Sequence, residues 1–106
     1  MKSAHLKDMI GGWLVGNFEP SVARTEDFEF GIKRYEAGDI DAAHYHKLAT
    51  EITVIISGQA VMGDKEWSEG DVIVVEPGDV VQFRALSDVV LAVIKMPSVP
   101  NDKYLV

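Results

Sequence analysis

Cysteine is absent from this chain of 106 residues, and long apolar runs are absent as well. Without a thiol, the chain can form no disulfide and offers neither a thiolate metal ligand nor a cysteine nucleophile. No apolar stretch approaches the roughly 18 residues that a membrane-spanning helix needs. Residues 1–21 also lack the apolar core of a signal peptide, and we therefore expect a cytoplasmic protein with no membrane partner.

Positive charge is scarce too. The chain has 10 lysine and arginine residues against 17 aspartate and glutamate residues, and its formal net charge is −7. Because both the nucleic-acid backbone and an anionic membrane surface attract clustered positive charge, neither is an expected partner. A small-molecule ligand or another protein is the expected partner.

Short β-like segments separated by glycine, proline and aspartate make up most of the sequence. Only residues 3–10 have a helical pattern, and it lasts barely two turns. Many short strands at this spacing are typical of an all-β sandwich or barrel. We therefore predict a single domain over 1–106, all-β, with a short N-terminal helical or irregular segment. The predicted strand segments are 27–35, 51–57, 59–67 (a hairpin turning at Gly63 and Asp64), 71–79, 80–86 and 89–96.

Alternation within two of these segments predicts which side chains face the barrel interior. In 27–35, the apolar Phe28, Phe30 and Ile32 share one face, and Arg34 has the same parity. Arg34 could therefore project into the barrel and hold an anionic substrate, although an arginine near a strand end is often solvated.

In 80–86, Val81 and Phe83 are predicted to face inward and Gln82 outward. Met62, in the preceding hairpin, is either a core residue or part of a cavity wall. We include Met62, Val81 and Phe83 with Arg34 as candidate substrate-binding residues.

The strands at 52–56 and 72–75 are apolar on both faces. In an antiparallel barrel one face of each strand is normally in contact with water. A strand that is apolar on both faces therefore indicates that something also covers its outer face. We expect a second copy of the chain to supply this cover, in a homodimer. The alternative is cover by the N-terminal segment that contains Trp13, Leu14 and Phe18. Residues 97–106 are either a frayed end or an arm that reaches a neighbouring subunit.

His44 and His46 are the candidate metal ligands. Strand alternation places them side by side on one face, with Tyr45 pointing away. Glu51 lies five residues after His46 and can join them only if the chain turns between 47 and 50 and the next strand pairs back. The residue types in that interval permit such a turn without requiring it.

Glycines on both sides extend this group into a longer pattern. Gly38, His44, His46, Glu51 and Gly58 together resemble the first motif of the cupin superfamily in residue identity and spacing. The segment 70–83, "GDVIVVEPGDVVQF", resembles the second cupin motif, which would extend over 70–85. The first motif would cover 38–58, and 11 residues (59–69) separate the two, as in small single-domain bacterial cupins.

The resemblance implies a double-stranded β-helix, or jelly-roll barrel, with a metal ion inside. The metal would be held by His44, His46 and Glu51. Val81 stands where the second motif usually carries a fourth ligand, a histidine, so a three-ligand site open on one side is expected. The resemblance does not distinguish iron, manganese, zinc and nickel as the divalent ion, and a metal-free pocket is the alternative.

Two functions follow from the resemblance. One is a metal-dependent enzyme of small-molecule metabolism, similar to a dioxygenase or an isomerase. The other is a non-catalytic module that binds a sugar or a small acid, or an accessory subunit. The sequence identifies no catalytic residue, because the core segments contain no further histidine, the chain has no cysteine, and no tyrosine clearly faces inward to act as a general base. Whether the chain is an enzyme stays open at this level.

Overall fold

The structure is a computed structural model that describes residues 1–106. Two short 3-10 turns, Leu6–Asp8 and Ile10–Gly12, precede the strands, and no helix has the length and apolar character needed to cross a membrane. The strands are β1 (Trp13–Gly16), β2 (Ala23–Arg24), β3 (Glu29–Tyr35), β4 (Ile40–Tyr45), β5 (Thr50–Ser57), β6 (Gln59–Met62), β7 (Lys65–Ser68), β8 (Val72–Val75), β9 (Val81–Ala85), β10 (Val89–Met96) and β11 (Tyr104–Leu105).

The strands form two sheets that enclose one core. The first has the order β2-β1-β3-β10-β5-β8, and the second has the order β11-β4-β9-β6-β7. This arrangement confirms the predicted all-β jelly roll, and the hairpin of β6 and β7 turns at Gly63 and Asp64 as predicted. Inward side chains from both sheets form the apolar core, which consists of Ile55, Ala60, Met62, Ile73, Val75, Phe83, Ala85, Val89, Leu91 and Val93.

A repeated turn, two residues followed by Gly-Asp, positions three of the strands. It occurs at 36–39, 68–71 and 76–79. In each case the aspartate carboxylate accepts a hydrogen bond from the backbone N–H three residues earlier, at 2.8 to 3.0 Å. In the last turn Gly78 has φ 89°, a conformation that favours glycine because a side chain would be strained there. The Gly78 N–H also donates to the His46 carbonyl at 2.8 Å, which ties this turn to the histidine segment.

The predicted inward face of β3 is wrong. Glu29 and Gly31 are buried, and Lys33 and Tyr35 line the space between the sheets, whereas Arg34 is exposed. The prediction assumed that the more apolar face of this strand lies inside. In fact that face belongs to an apolar outer surface of the first sheet.

This outer surface is continuous across the strands. Cross-strand pairing joins Phe30 to Ile94, Ile94 to Ile52 and Ile52 to Val74, and a parallel row joins Ile32, Ala92, Val54 and Val72. Ile56, Val72 and Val74 are 47%, 59% and 52% exposed, respectively. The N-terminal segment does not cover them: β1 extends the sheet beside β3, and Trp13 turns into the barrel. Contiguous exposed apolar surface of this kind is typical of an interaction site.

We predict that a second copy covers this outer face in an isologous dimer, because an apolar surface is complementary to itself across a two-fold axis. The variant Val72→Lys with Val74→Lys should be monomeric by light scattering at micromolar concentration, whereas the parent chain should be dimeric. Gln82→Lys, an exposed position on the second sheet, serves as the control and should leave the dimer intact. A monomeric parent chain would refute this prediction.

Candidate functional site

A cavity of about 290 Å³ lies between the two sheets. Six of the seven residues predicted for the site line it: His44, His46, Glu51, Met62, Val81 and Phe83. Arg34 is not among the lining residues. Its predicted placement is therefore wrong, because the alternate face of β3, with Lys33 and Tyr35, is the one that faces the cavity.

His44, on β4, has a fixed ring orientation. Its Nδ1 lies 2.8 Å from the carbonyl oxygen of Ala42. Since a carbonyl oxygen only accepts hydrogen bonds, Nδ1 carries a proton and donates it to this contact, which leaves Nε2 as the nitrogen that could bind a metal ion. A backbone partner of this kind commonly orients histidine ligands of metals. The ring of His46 lies edge-on to that of His44, with centroids 5.3 Å apart.

His46 follows directly after β4 and is 2% exposed. Burial, with smaller contributions from Lys95 and His44, lowers the pKa of His46 to about 4. The ring is therefore neutral at physiological pH, the form in which imidazole binds metals.

Glu51 enters the cavity from the start of β5, because the chain turns over residues 46–49 as the sequence permits. It pairs across the sheet with Lys95, and Lys95 pairs on its other side with Glu29. Burial raises the pKa of Glu51, and the positive charge of Lys95 opposes that increase. The carboxylate thus has a cationic neighbour from its own chain.

Asp102 holds the turn between the histidines and Glu51, and sequence reasoning missed it. Its carboxylate accepts hydrogen bonds from the backbone N–H groups of Lys47, Leu48 and Ala49, the shortest at 2.9 Å. Burial alone would raise the pKa of Asp102, but these hydrogen bonds lower it below its ordinary value. Asp102 reaches the turn because residues 98–106 fold back on their own chain, where β11 pairs with β4.

Val81 occupies the position where the cupin resemblance places a fourth ligand. It lies directly across from His44 in the pairing of β4 with β9. A bulge lies between Asp41 and His44 on β4, so both of these side chains line the cavity. Gln82 is exposed, as its parity predicts, and offers no replacement ligand.

Three lysines, none of them identified from the sequence, also line the cavity: Lys33, Lys95 and Lys103. Lys33 takes the inward position that parity had assigned to Arg34, and burial lowers its pKa. Tyr35 lies in the wall as well, packed against Phe83 with ring centroids 4.6 Å apart. Burial raises the pKa of Tyr35 to about 12, so its hydroxyl remains protonated and can donate a hydrogen bond.

The donor set fits a divalent metal ion in its chemistry. Two imidazoles and one carboxylate line the same cavity, a combination found in non-haem iron sites. The side chains are not gathered around one point, however, because no three histidine or acidic side chains lie close enough together to hold a metal ion.

Solved structures of other proteins share this fold. A double-stranded β-helix protein from Klebsiella pneumoniae matches with TM-score 0.69 and 21% identity over 76% of this chain and 71% of its own. A sugar phosphate isomerase of the cupin superfamily from Silicibacter pomeroyi matches with TM-score 0.61 and 23% identity over 66% of this chain and 50% of its own. Oxalate decarboxylase from Bacillus subtilis, which has Mn(II) centres, matches with TM-score 0.65 and 19% identity over 77% of this chain and 25% of its own.

These likenesses confirm the cupin fold. This chain spans half the length of the isomerase and a quarter of the decarboxylase. No protein-family model matches the sequence, and no curated protein matches it.

The burial of His46 generates a pH prediction for the metal-free protein. Between the ordinary pKa of 6.5 and the folded-state pKa of about 4, the unfolded chain binds a proton at this ring that the folded chain excludes. The contribution of His46 to the free energy of unfolding should therefore fall as the pH decreases from 6.5 to 4. Chemical denaturation in the presence of a chelator should show that the free energy of unfolding of the parent chain falls as the pH decreases over this range. The decrease should be smaller in His46→Asn. The exposed His5→Asn serves as the control, and an unchanged slope in His46→Asn would contradict the prediction.

Removal of the Asp102 carboxylate should destabilise the turn. Asp102→Ala is expected to lower the free energy of unfolding at pH 7 by about 1.5–3 kcal/mol, the range for hydrogen bonds to a charged group. Because the folded-state pKa lies below the ordinary 3.8, this contribution should be complete above pH 3.8 and should be lost as the pH falls further. Asp79→Ala, which removes one hydrogen bond to the Glu76 N–H at an exposed turn, should cost less. Equal losses in the two variants would argue against this role.

Proposed function

We propose that this chain, which has the double-stranded β-helix of the cupin superfamily, is an enzyme of small-molecule metabolism whose site is the cavity between the sheets. The observation that carries the proposal is that the hydrogen-bonded imidazole of His44, the neutral imidazole of His46 and the carboxylate of Glu51 all line one cavity. His44, His46 and Glu51 would hold a divalent metal ion, and Val81 would leave one side open for a substrate.

A metal ion bound there would act as a Lewis acid on substrate oxygen atoms. The chain's own residues supply the surroundings. Met62, Val81 and Phe83 give the wall an apolar surface that excludes water from the bound molecule. The protonated Tyr35 hydroxyl can donate a hydrogen bond to it. Isomerase-like or dioxygenase-like chemistry is compatible with this set.

A metal-free binding module is the second candidate, and one observation favours it. Lys95 is the cross-strand neighbour of Glu51 and supplies the positive charge that a buried carboxylate needs. Glu51 can therefore remain in the cavity without a metal ion. In that case His44 and His46 would contact the ligand through hydrogen bonds.

Metal content separates the two candidates. Protein purified without a nickel column should contain nearly one equivalent of a divalent metal by elemental analysis. His46→Ala and Glu51→Ala should reduce it to background, because two remaining ligands hold such ions weakly. His5→Ala removes a histidine outside the cavity and should leave the metal content unchanged. A folded parent chain without metal, both as purified and after incubation with Fe(II), Mn(II), Zn(II) or Ni(II), would refute the metal-dependent proposal.

A gain-of-ligand variant strengthens this test. Val81→His places an imidazole opposite His44, where the cupin resemblance expects a fourth ligand. It should lower the metal Kd relative to the parent, whereas Gln82→His, whose side chain lies outside the barrel, should not. If metal is present, oxygen consumption and product analysis with a panel of small acids then distinguish an enzyme from a binding module.

A further inference from the structure

The cavity concentrates positive charge in an acidic protein. Of the 10 lysine and arginine residues in the chain, three line this one cavity, although the net charge is −7. They come from separate parts of the chain: Lys33 from β3, Lys95 from β10, and Lys103 from the segment before β11. Two carboxylates, those of Asp41 and Glu51, face the same space, so cationic groups outnumber anionic ones.

Two of the ammonium groups are held at one side of the cavity by an indole ring. The Nζ atoms of Lys33 and Lys95 lie 4.7 and 5.2 Å from the centroid of the Trp13 ring. The ring can pack there because Gly31 beneath it has no side chain; a Cβ at that position would approach the ring to 2.8 Å. Cation–π contact restrains both lysines without neutralising them.

The lysines differ in how far their charge is already compensated. Lys103 forms an ion pair with Asp41 at 3.2 Å, and Lys95 lies between Glu29 and Glu51 in the sheet. Lys33 forms no salt bridge; its Nζ donates to the Gly11 carbonyl at 2.7 Å. A carbonyl oxygen leaves the positive charge of Lys33 available to a ligand.

We infer that the cavity binds a small organic carboxylate, whose anionic group is held by Lys33 with Lys95 and Lys103 around it. Half of the 16 lining residues are hydrophobic, which suits a short carbon skeleton better than a bare inorganic anion. A volume of about 290 Å³ corresponds to roughly ten water molecules at about 30 Å³ each, so the ligand has about ten non-hydrogen atoms or fewer. The inference rests on the proposed small-molecule function of this cavity but not on its metal ion.

The test uses calorimetric titration of chelator-treated, full-length protein at pH 7 and low ionic strength. The probes are malonate, its neutral isostere malonamide and inorganic phosphate. We expect malonate to bind, malonamide to bind weakly or not at all, and added NaCl to weaken malonate binding by screening. Phosphate binding without malonate binding would overturn the carboxylate assignment.

Two adjacent residues on β3 provide matched variants. Lys33→Met should raise the Kd for malonate about tenfold or more, because it removes a charge-assisted hydrogen bond. Lys33→Arg should restore most of the affinity. Arg34→Met removes the same charge from the outside of the barrel and should leave the Kd unchanged. Lys103→Met, at a more exposed site, gives a second loss variant in case Lys33→Met does not fold, as judged by thermal unfolding.

The outcomes separate this inference from the proposed metal site. Malonate binding that depends on Lys33 in a chain that takes up no metal supports the inference and refutes only the metal ion. The inference is overturned if the chain binds stoichiometric metal but does not bind malonate, or if Arg34→Met weakens malonate binding as much as Lys33→Met does. Either result would leave the proposed metal site unaffected.

Discussion

The hydrogen bonds of the Asp102 carboxylate to three consecutive backbone N–H groups are the constraint on which the site depends. These groups belong to Lys47, Leu48 and Ala49, in the turn between the two histidines and Glu51. The Ala49 N–H is buried and would be costly to leave without a partner, and the N–H groups of Lys47 and Leu48 are partly buried. With Asp102 in place, the chain reverses in a few residues, and Glu51 enters the cavity that the histidines line. Gly78, in the second motif, also holds this segment, because its N–H donates a hydrogen bond to the carbonyl oxygen of His46.

The electrostatic balance of the cavity follows from cross-strand pairing. Glu29, Lys95 and Glu51 form one row across three strands of the first sheet, so each buried charge has an opposite charge beside it. Such a row allows ionised groups inside a barrel whose remaining lining is largely apolar, since an isolated buried charge would be far more costly. It also means that Glu51 can serve either a metal ion or the lysine, and that the two would compete for it.

The sequence predicts those features that depend on local rules. Strand alternation places His44 beside His46 and puts Val81 and Phe83 inside, and a glycine marks the hairpin turn. The inward face of β3 could not be predicted in this way, because the exposed sheet face is the more apolar one there and the inner face carries Glu29 and Lys33. The role of Asp102 could not be predicted either, because its partners lie 53 to 55 residues away and no local sequence pattern indicates such a contact.

The long sequence separation between Asp102 and its turn has a kinetic consequence. Contacts that close large loops form only after the entropy of the intervening chain has been overcome, and they tend to be late events in folding. Hairpins such as β6–β7 can form early, whereas the turn between His46 and Glu51 is fixed only when residues 98–106 dock. The end of the barrel that carries the candidate site would then form after the core, and changes in the C-terminal segment would act mainly on the rate of unfolding.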